Sequence, residues 1–183
     1  MWRLISVVDS AAYALYKLND RDADPKSLSR IVWVLSNLFR YADKFSEDCF
    51  RGRANYILQE CVNSMKSRDH ENCWRYDEEL WDDAVELLYN CCRDNVIILS
   101  SKSDFKVVVP FVIEYIKNNP SNTRLANALI ILEKAIYALG KERMKKCRGL
   151  LAALGSIADY GNNEAGKGAK DDALKLIIGI YQS

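Results

Sequence analysis

Apolar residues in this chain recur at steps of three and four, segment after segment, and that spacing commits it to helices. Leu4, Val8, Ala11, Leu15 and Leu18 fall on one stripe; Leu28, Ile31, Leu35, Leu38, Ala42 and Phe45 fall on another. The period matches the 3.6-residue turn, whereas a half-buried strand would alternate at every second position. Glycine (8) and proline (3) are scarce, which argues against many short strands joined by tight turns. Each stripe has to be covered, so the expected fold is all-α, with helices packed on helices.

Local signals place the segments. Asp24 and Pro25 suit an N-cap and a first helical position. Phe50, Ala54, Ile57, Leu58, Cys61, Val62 and Met65 form the next stripe, and the polar, aperiodic residues 67–76 break the pattern. A fourth helix is expected from Asp77, burying Leu80, Trp81, Ala84, Leu87, Leu88 and Cys91. Its acidic start, Asp77, Glu78, Glu79, Asp82 and Asp83, complements the helix dipole and reads as a solvated face. Residues 95–101 fit either a continuation of that helix or an extended run. An interior proline costs a helix about 3 kcal/mol, so Pro110 predicts a kink or a fresh helix start. Further helices are expected over 121–139, over 141–161 with Gly161 as the stop, and over 169–181, giving about eight in one domain, 1–183.

Composition narrows the function. The 183 residues are 49% hydrophobic and 28% charged with a net charge of +1, so no global field draws the chain to nucleic acid or anionic lipid. No run of about 18 apolar residues exists, so no membrane partner is expected. The apolar run from Leu4 to Val8 is broken by Asp9 and is too short for a signal-peptide core, so an amphipathic first helix is expected. Six cysteines (Cys49, Cys61, Cys73, Cys91, Cys92 and Cys147) show no compact framework and read as reduced thiols of an intracellular protein, cytoplasmic or nuclear.

A faint internal repeat is present. Arg51-Gly52 and Arg148-Gly149 share an offset of 97 residues, at which Leu35 falls on Leu132, Phe39 on Ile136 and Lys44 on Lys141. This fits two units of about 45–50 residues, within the range of helical solenoids. In "VVVPFVIEYIKNNPSNTRLANALIILEKAI" (107–136), Pro110, Val112, Ile113 and Ile116 precede a polar turn at Asn119-Pro120 and an alanine-rich helix with Ala126, Ala128 and Leu132. "VWVLSNLFR" (32–40) carries Trp33, Leu35, Ser36, Asn37 and Leu38; "ELLYNCCRDN" (86–95) matches it more loosely through Leu88 and Asn90. These residues resemble armadillo repeats, with HEAT repeats nearly as close a fit. The resemblance implies a right-handed α–α superhelix of about eight helices, acting as a scaffold or adaptor that binds a protein or extended peptide. The chain departs from the family in its longer link at 67–76 and in lacking, in most units, the glycine that often separates the first two helices.

In armadillo proteins that bind extended peptides, a Trp and an Asn four residues apart on the third helix face the groove. By that resemblance Trp33 and Asn37 are the candidate partner-binding residues, with Arg40 and Asn90. The plainer alternative places Trp33 in the core and Asn37 on a solvated face, since the chain holds one full copy of the pair. The cluster Lys141, Arg143, Lys145, Lys146 and Arg148 could meet phosphates or an acidic partner, but lacks interleaved aromatics for base stacking. A nucleic-acid-binding helical-repeat module is therefore a secondary reading, beside a compact all-α inhibitor or immunity-type protein that blocks one enzyme. His70 and Cys73, followed by Cys91-Cys92, make a weak zinc pattern because adjacent cysteines are a poor ligand pair. A Cys73–His70 dyad has no orienting base or oxyanion donors nearby, so neither catalysis nor a cofactor is expected.

Overall fold

A computed structural model describes residues 2–19, 24–41, 56–57, 60–63, 77–93, 102–118, 124–160 and 167–182. Among them every regular element is helical and none is a strand. None of the described helices is long and apolar enough to cross a membrane. The chain divides into two compact units, Met1–Leu99 and Ser100–Ser183.

The first unit contains α1 (Trp2–Asn19), α2 (Pro25–Arg40) and α3 (Glu78–Cys92), with further helical residues at 56–57 and 60–63. The Asp24 carboxylate accepts from the Lys26 and Ser27 N–H groups at 3.0 and 3.2 Å, and Pro25 opens α2 behind it. Asp77 caps α3 by accepting from the Leu80 N–H at 2.9 Å. Each cap satisfies donors that the first helical turn leaves over. The core takes Val8, Ala12 and Leu15 from α1; Leu28, Val32, Leu35 and Phe39 from α2; Ile57, Cys61 and Val62; and Leu80, Trp81, Ala84, Val85, Leu87, Leu88, Cys91 and Cys92 from α3. The buried face of α2 is rotated from the expected stripe, since Val32 and Phe39 are buried where Ile31 and Leu38 are half-buried.

Polar pairs tie α2 to α3. The Ser29 hydroxyl donates to Asp83 at 2.7 Å, and the Asn90 amide donates to the Ser36 carbonyl and hydroxyl at 3.2 and 3.1 Å. The Arg93 guanidinium, at the end of α3, donates to the carbonyl of Arg40, the last residue of α2. Residue numbers rise together along both helices, so α2 and α3 run parallel. Both inner pairs are 54 residues apart in sequence, and they sit two turns apart on each helix. All four side chains of these pairs are buried, so each hydrogen bond offsets the cost of taking polar atoms out of water and fixes the register. The acidic start of α3 is therefore only partly solvated: Glu78 and Glu79 are exposed and Asp82 is half-buried, but Asp83 is 7% exposed and lies against α2.

The second unit contains α4 (Lys102–Asn118), α5 (Leu125–Leu139), α6 (Lys141–Lys145), α7 (Leu150–Tyr160) and α8 (Lys167–Tyr181). Helix α4 packs on α5 and α7 on α8; α4 also packs on α7, and α5 on α8. Two helical pairs therefore stack like on like, with the short α6 lying against α5 and α8. Phe105, Val108, Phe111, Val112, Tyr115, Ile131, Leu132, Met144, Leu150, Leu154, Ala173 and Ile180 fill the interior.

One sequence expectation is narrowed here, the kink or fresh start at Pro110 losing its second alternative, and one is overturned. Helix α4 runs through Pro110 without a new start. Pro110 is exposed, so the carbonyl that loses its helical donor sits on the wet side of the helix, where water can replace the bond. The expected single helix over 141–161 is broken into α6 and α7 at residues 146–149. Gly149 has φ +83°, and a Cβ there would lie 2.9 Å from Lys117 Cε. Replacing Gly149 by Ala should cost the fold about 1–2 kcal/mol, chiefly through the left-handed backbone. Gly155, inside α7 with open space around it, should show the opposite sign and gain roughly 0.5–1 kcal/mol on replacement by Ala. Urea denaturation of the two variants checks the contrast. The expectations for 95–101, the 67–76 link, Gly52 and Gly161 lie outside the described residues.

Candidate functional site

The outward face of α2 is built by the same periodicity that buries its inner face. Leu28, Val32, Leu35 and Phe39 point inward, so Lys26, Arg30, Trp33, Asn37 and Arg40 fall on the opposite side at three- and four-residue steps. Trp33 is 56% exposed, and beside it Val34 is also exposed. Trp33 is thus no core residue. An indole carries more apolar area than almost any side chain, so leaving it in water forgoes on the order of 1.5–3 kcal/mol of burial. Trp81 on α3, 1% exposed, shows where a tryptophan sits when packing alone decides.

Asn37 is half-buried, and its amide donates to the Trp33 carbonyl at 2.9 Å within the helix. The side-chain donor is thereby turned back on the backbone, while the amide oxygen is the group through which Asn37 can accept from a partner. Arg40 is exposed and pairs with Glu86 of α3. Such partly exposed pairs contribute about 0–1 kcal/mol, so Arg40 can be drawn off by a competing carboxylate at little cost. Asn90 does not join these residues. It is 2% exposed, and its amide is committed to Ser36 between the helices, so it holds α3 against α2 beyond a partner's reach.

Sequence reading missed the aromatic company on this unit. Tyr13, Tyr16, Tyr41 and Tyr56 are all exposed. Lys17 Nζ lies 5.5 Å from the Tyr13 ring centroid and 5.7 Å from that of Tyr16, within cation–π range. Burial of part of the phenol, then the charge of Glu60 and the approach of Tyr16, raise the Tyr56 hydroxyl above its ordinary value. Tyr13 and Tyr16 fall off the apolar stripe of α1, and that was the available signal.

In the second unit the basic stretch is folded around α6. Lys141, Arg143, Lys146 and Arg148 are exposed, while Lys145 is half-buried and donates to Glu142 at 2.8 Å. The Lys145 hydrogen bond, then its charge, hold the Glu142 carboxyl below its ordinary value. The Lys117 side chain rests over Gly149, adding a cation near the end of the stretch.

The thiols divide by burial. Cys61, Cys91 and Cys92 are buried in the first unit, and Cys147 is half-buried. Burial pushes the Cys61 thiol up to about 12, with the Asp83 carboxylate adding to it, and raises Cys91 well above its ordinary value. A thiol raised on folding keeps its proton in the native state, so its contribution to stability is present below the unfolded pKa and is lost as pH rises. Stability should therefore fall from about pH 9 upward, where the unfolded thiols ionise near 8.5. Native-state iodoacetamide labelling followed by peptide mapping should modify Cys147 ahead of Cys61 and Cys91, which react only on unfolding. His70 and Cys73 lie outside the described residues; among those described, no group of three or more His, Cys, Asp or Glu is placed to hold a metal ion. Comparison with protein-family models, with curated proteins and with solved structures finds no match to this chain.

Proposed function

We propose that this chain is a protein-binding helical-repeat module that holds a partner on the outward face of α2, with Trp33 as the anchor. The observation that carries this reading is the 56% exposure of Trp33 on a helix whose other large apolar side chains are mostly covered. Binding surfaces concentrate their energy in Trp, Tyr and Arg, and Lys26, Arg30, Asn37, Arg40 and Tyr41 supply polar and aromatic neighbours on or beside that face. Function then rests on a rigid surface, and no bond is broken.

Three features support the armadillo or HEAT-like superhelix behind it. Parallel α2 and α3 carry the two stretches that resemble the family's third helix, the second of them over residues 86–92, as neighbours in one stack would. The pairs α4–α5 and α7–α8 stack like on like. Gly149 separates the short α6 from α7, where the family often has a glycine between its first two helices. A photo-crosslinker at position 33 should capture a defined protein that free partner competes away. Failure to capture any, beside a demonstrated turnover of a small substrate, would remove the reading.

The exposed cations of α6 and its following turn favour a second reading, a phosphate-tracking surface. It requires duplex affinity that falls steeply between two salt concentrations and that Arg143→Gln and Arg148→Gln weaken. Salt-independent or undetectable binding excludes it.

A further inference from the structure

A cleft of about 220 Å³ opens between α5 and α8 in the second unit, lined by Leu129, Ile130, Glu133, Asp172, Lys175 and Leu176. Its apolar lining is three aliphatic side chains, and charged groups complete the wall. We propose that this cleft is a docking site for a cationic protein segment that inserts one large apolar side chain between flanking Lys or Arg residues.

Charge complementarity carries the choice of occupant. Glu133 and Asp172 line the cleft, Asp171 lies next to them, and Lys175 is the one cation among the lining residues. Lys175 Nζ donates to Asp172 at 3.0 Å, with Asp171 and Glu133 also near it. The Asp172 hydrogen bond, then its charge, hold the Lys175 ammonium above its ordinary value. Lys175 thus marks, with the protein's own side chain, a position that favours a cation. Both partners of the pair are well exposed, so an incoming guanidinium can take that place against little resistance. The volume suits a single side chain, and apolar surface continues outward from the lining. Tyr137, one turn beyond Glu133 on the same face of α5, is 81% exposed, and Ile178, one turn beyond Lys175 on α8, is exposed too. The carboxylates outnumber the one lining cation, so an acidic partner would be repelled and a neutral apolar one would gain nothing from them, which sets the sign of the preference.

The site lies on a different unit from the α2 face and stands or falls separately. The test is calorimetric titration of the full chain with three short synthetic peptides: a leucine flanked by Lys and Arg, the same peptide with serine for leucine, and the same with glutamate for every cation. The first should bind, the other two at least about tenfold more weakly, and added salt should weaken the first. Glu133→Gln with Asp172→Asn should cost about tenfold, whereas Lys175→Ala, which removes the competing built-in cation, should gain about threefold. Lys106→Gln on α4 serves as the unaffected control. All these side chains are exposed, so circular dichroism should show each variant folded. Three results would overturn the proposal: no binding of the cationic leucine peptide, equal binding of the glutamate peptide, or indifference to Glu133, Asp172 and Lys175. Self-association of the chain abolished by the same variants would overturn it as well, by making a second copy the occupant.

Discussion

Replacing Trp81 by alanine should destabilise the first unit by about 3–5 kcal/mol, a large fraction of what a small domain has in total. Trp81 is 1% exposed in the core of α3, among the side chains that also bury Leu80, Ala84, Val85 and Leu88. Truncation removes the transfer free energy of the indole and leaves a cavity that rigid helices close only in part. Urea denaturation reads the effect as a fall in midpoint with little change in slope. The same substitution at Trp33 should move stability by no more than about 0.5 kcal/mol, because that indole is already largely in water. Equal losses at the two positions would mean that Trp33 packs against something, and the α2 face would cease to be a surface.

The second large effect is expected at the Ser29–Asp83 pair. The Ser29 hydroxyl donates to a buried carboxylate at 2.7 Å, and hydrogen bonds to charged groups contribute about 1.5–3 kcal/mol. Ser29→Ala takes a donor from Asp83 without removing its charge, so it should cost an amount in that range. Asp83→Ala should cost at least as much, through the lost acceptor and the cavity. A double-mutant cycle should then show a coupling of about 1–3 kcal/mol, the double variant losing much less than the two singles combined. A coupling near zero would place the hydroxyl and the carboxylate out of contact and remove the pair from the register of α2 against α3. Asn90, two turns further along, should couple to Ser36 in the same sense.

The helical class was legible because periodicity needs only local spacing. Trp81, Leu87 and Cys91 were placed inward correctly, and Asp24 was identified as an N-cap. The errors fall where tertiary contact overrides local chemistry. Asp83 belongs by spacing to a solvated acidic turn, yet Ser29, 54 residues away, gives it a buried partner. Asn90 looked like a surface amide for the same reason, since nothing near it in sequence announces Ser36. Pro110 is tolerated because the helix turns that side to water, which a local rule cannot foresee. Gly149 was visible as a residue, but the break it makes required knowing that the backbone there is left-handed. Trp33 is the instructive case: its position on the wheel lies opposite the apolar stripe, its size and apolar area favoured the core, and its 56% exposure decides between the two.

The most direct test measures partner affinity and unfolding free energy on one preparation of the Trp33→Ala variant, with the partner captured from position 33. The account predicts an affinity lowered by at least about tenfold and a stability within about 0.5 kcal/mol of the parent. Unchanged affinity with a stability loss of several kcal/mol would contradict it and return Trp33 to the core.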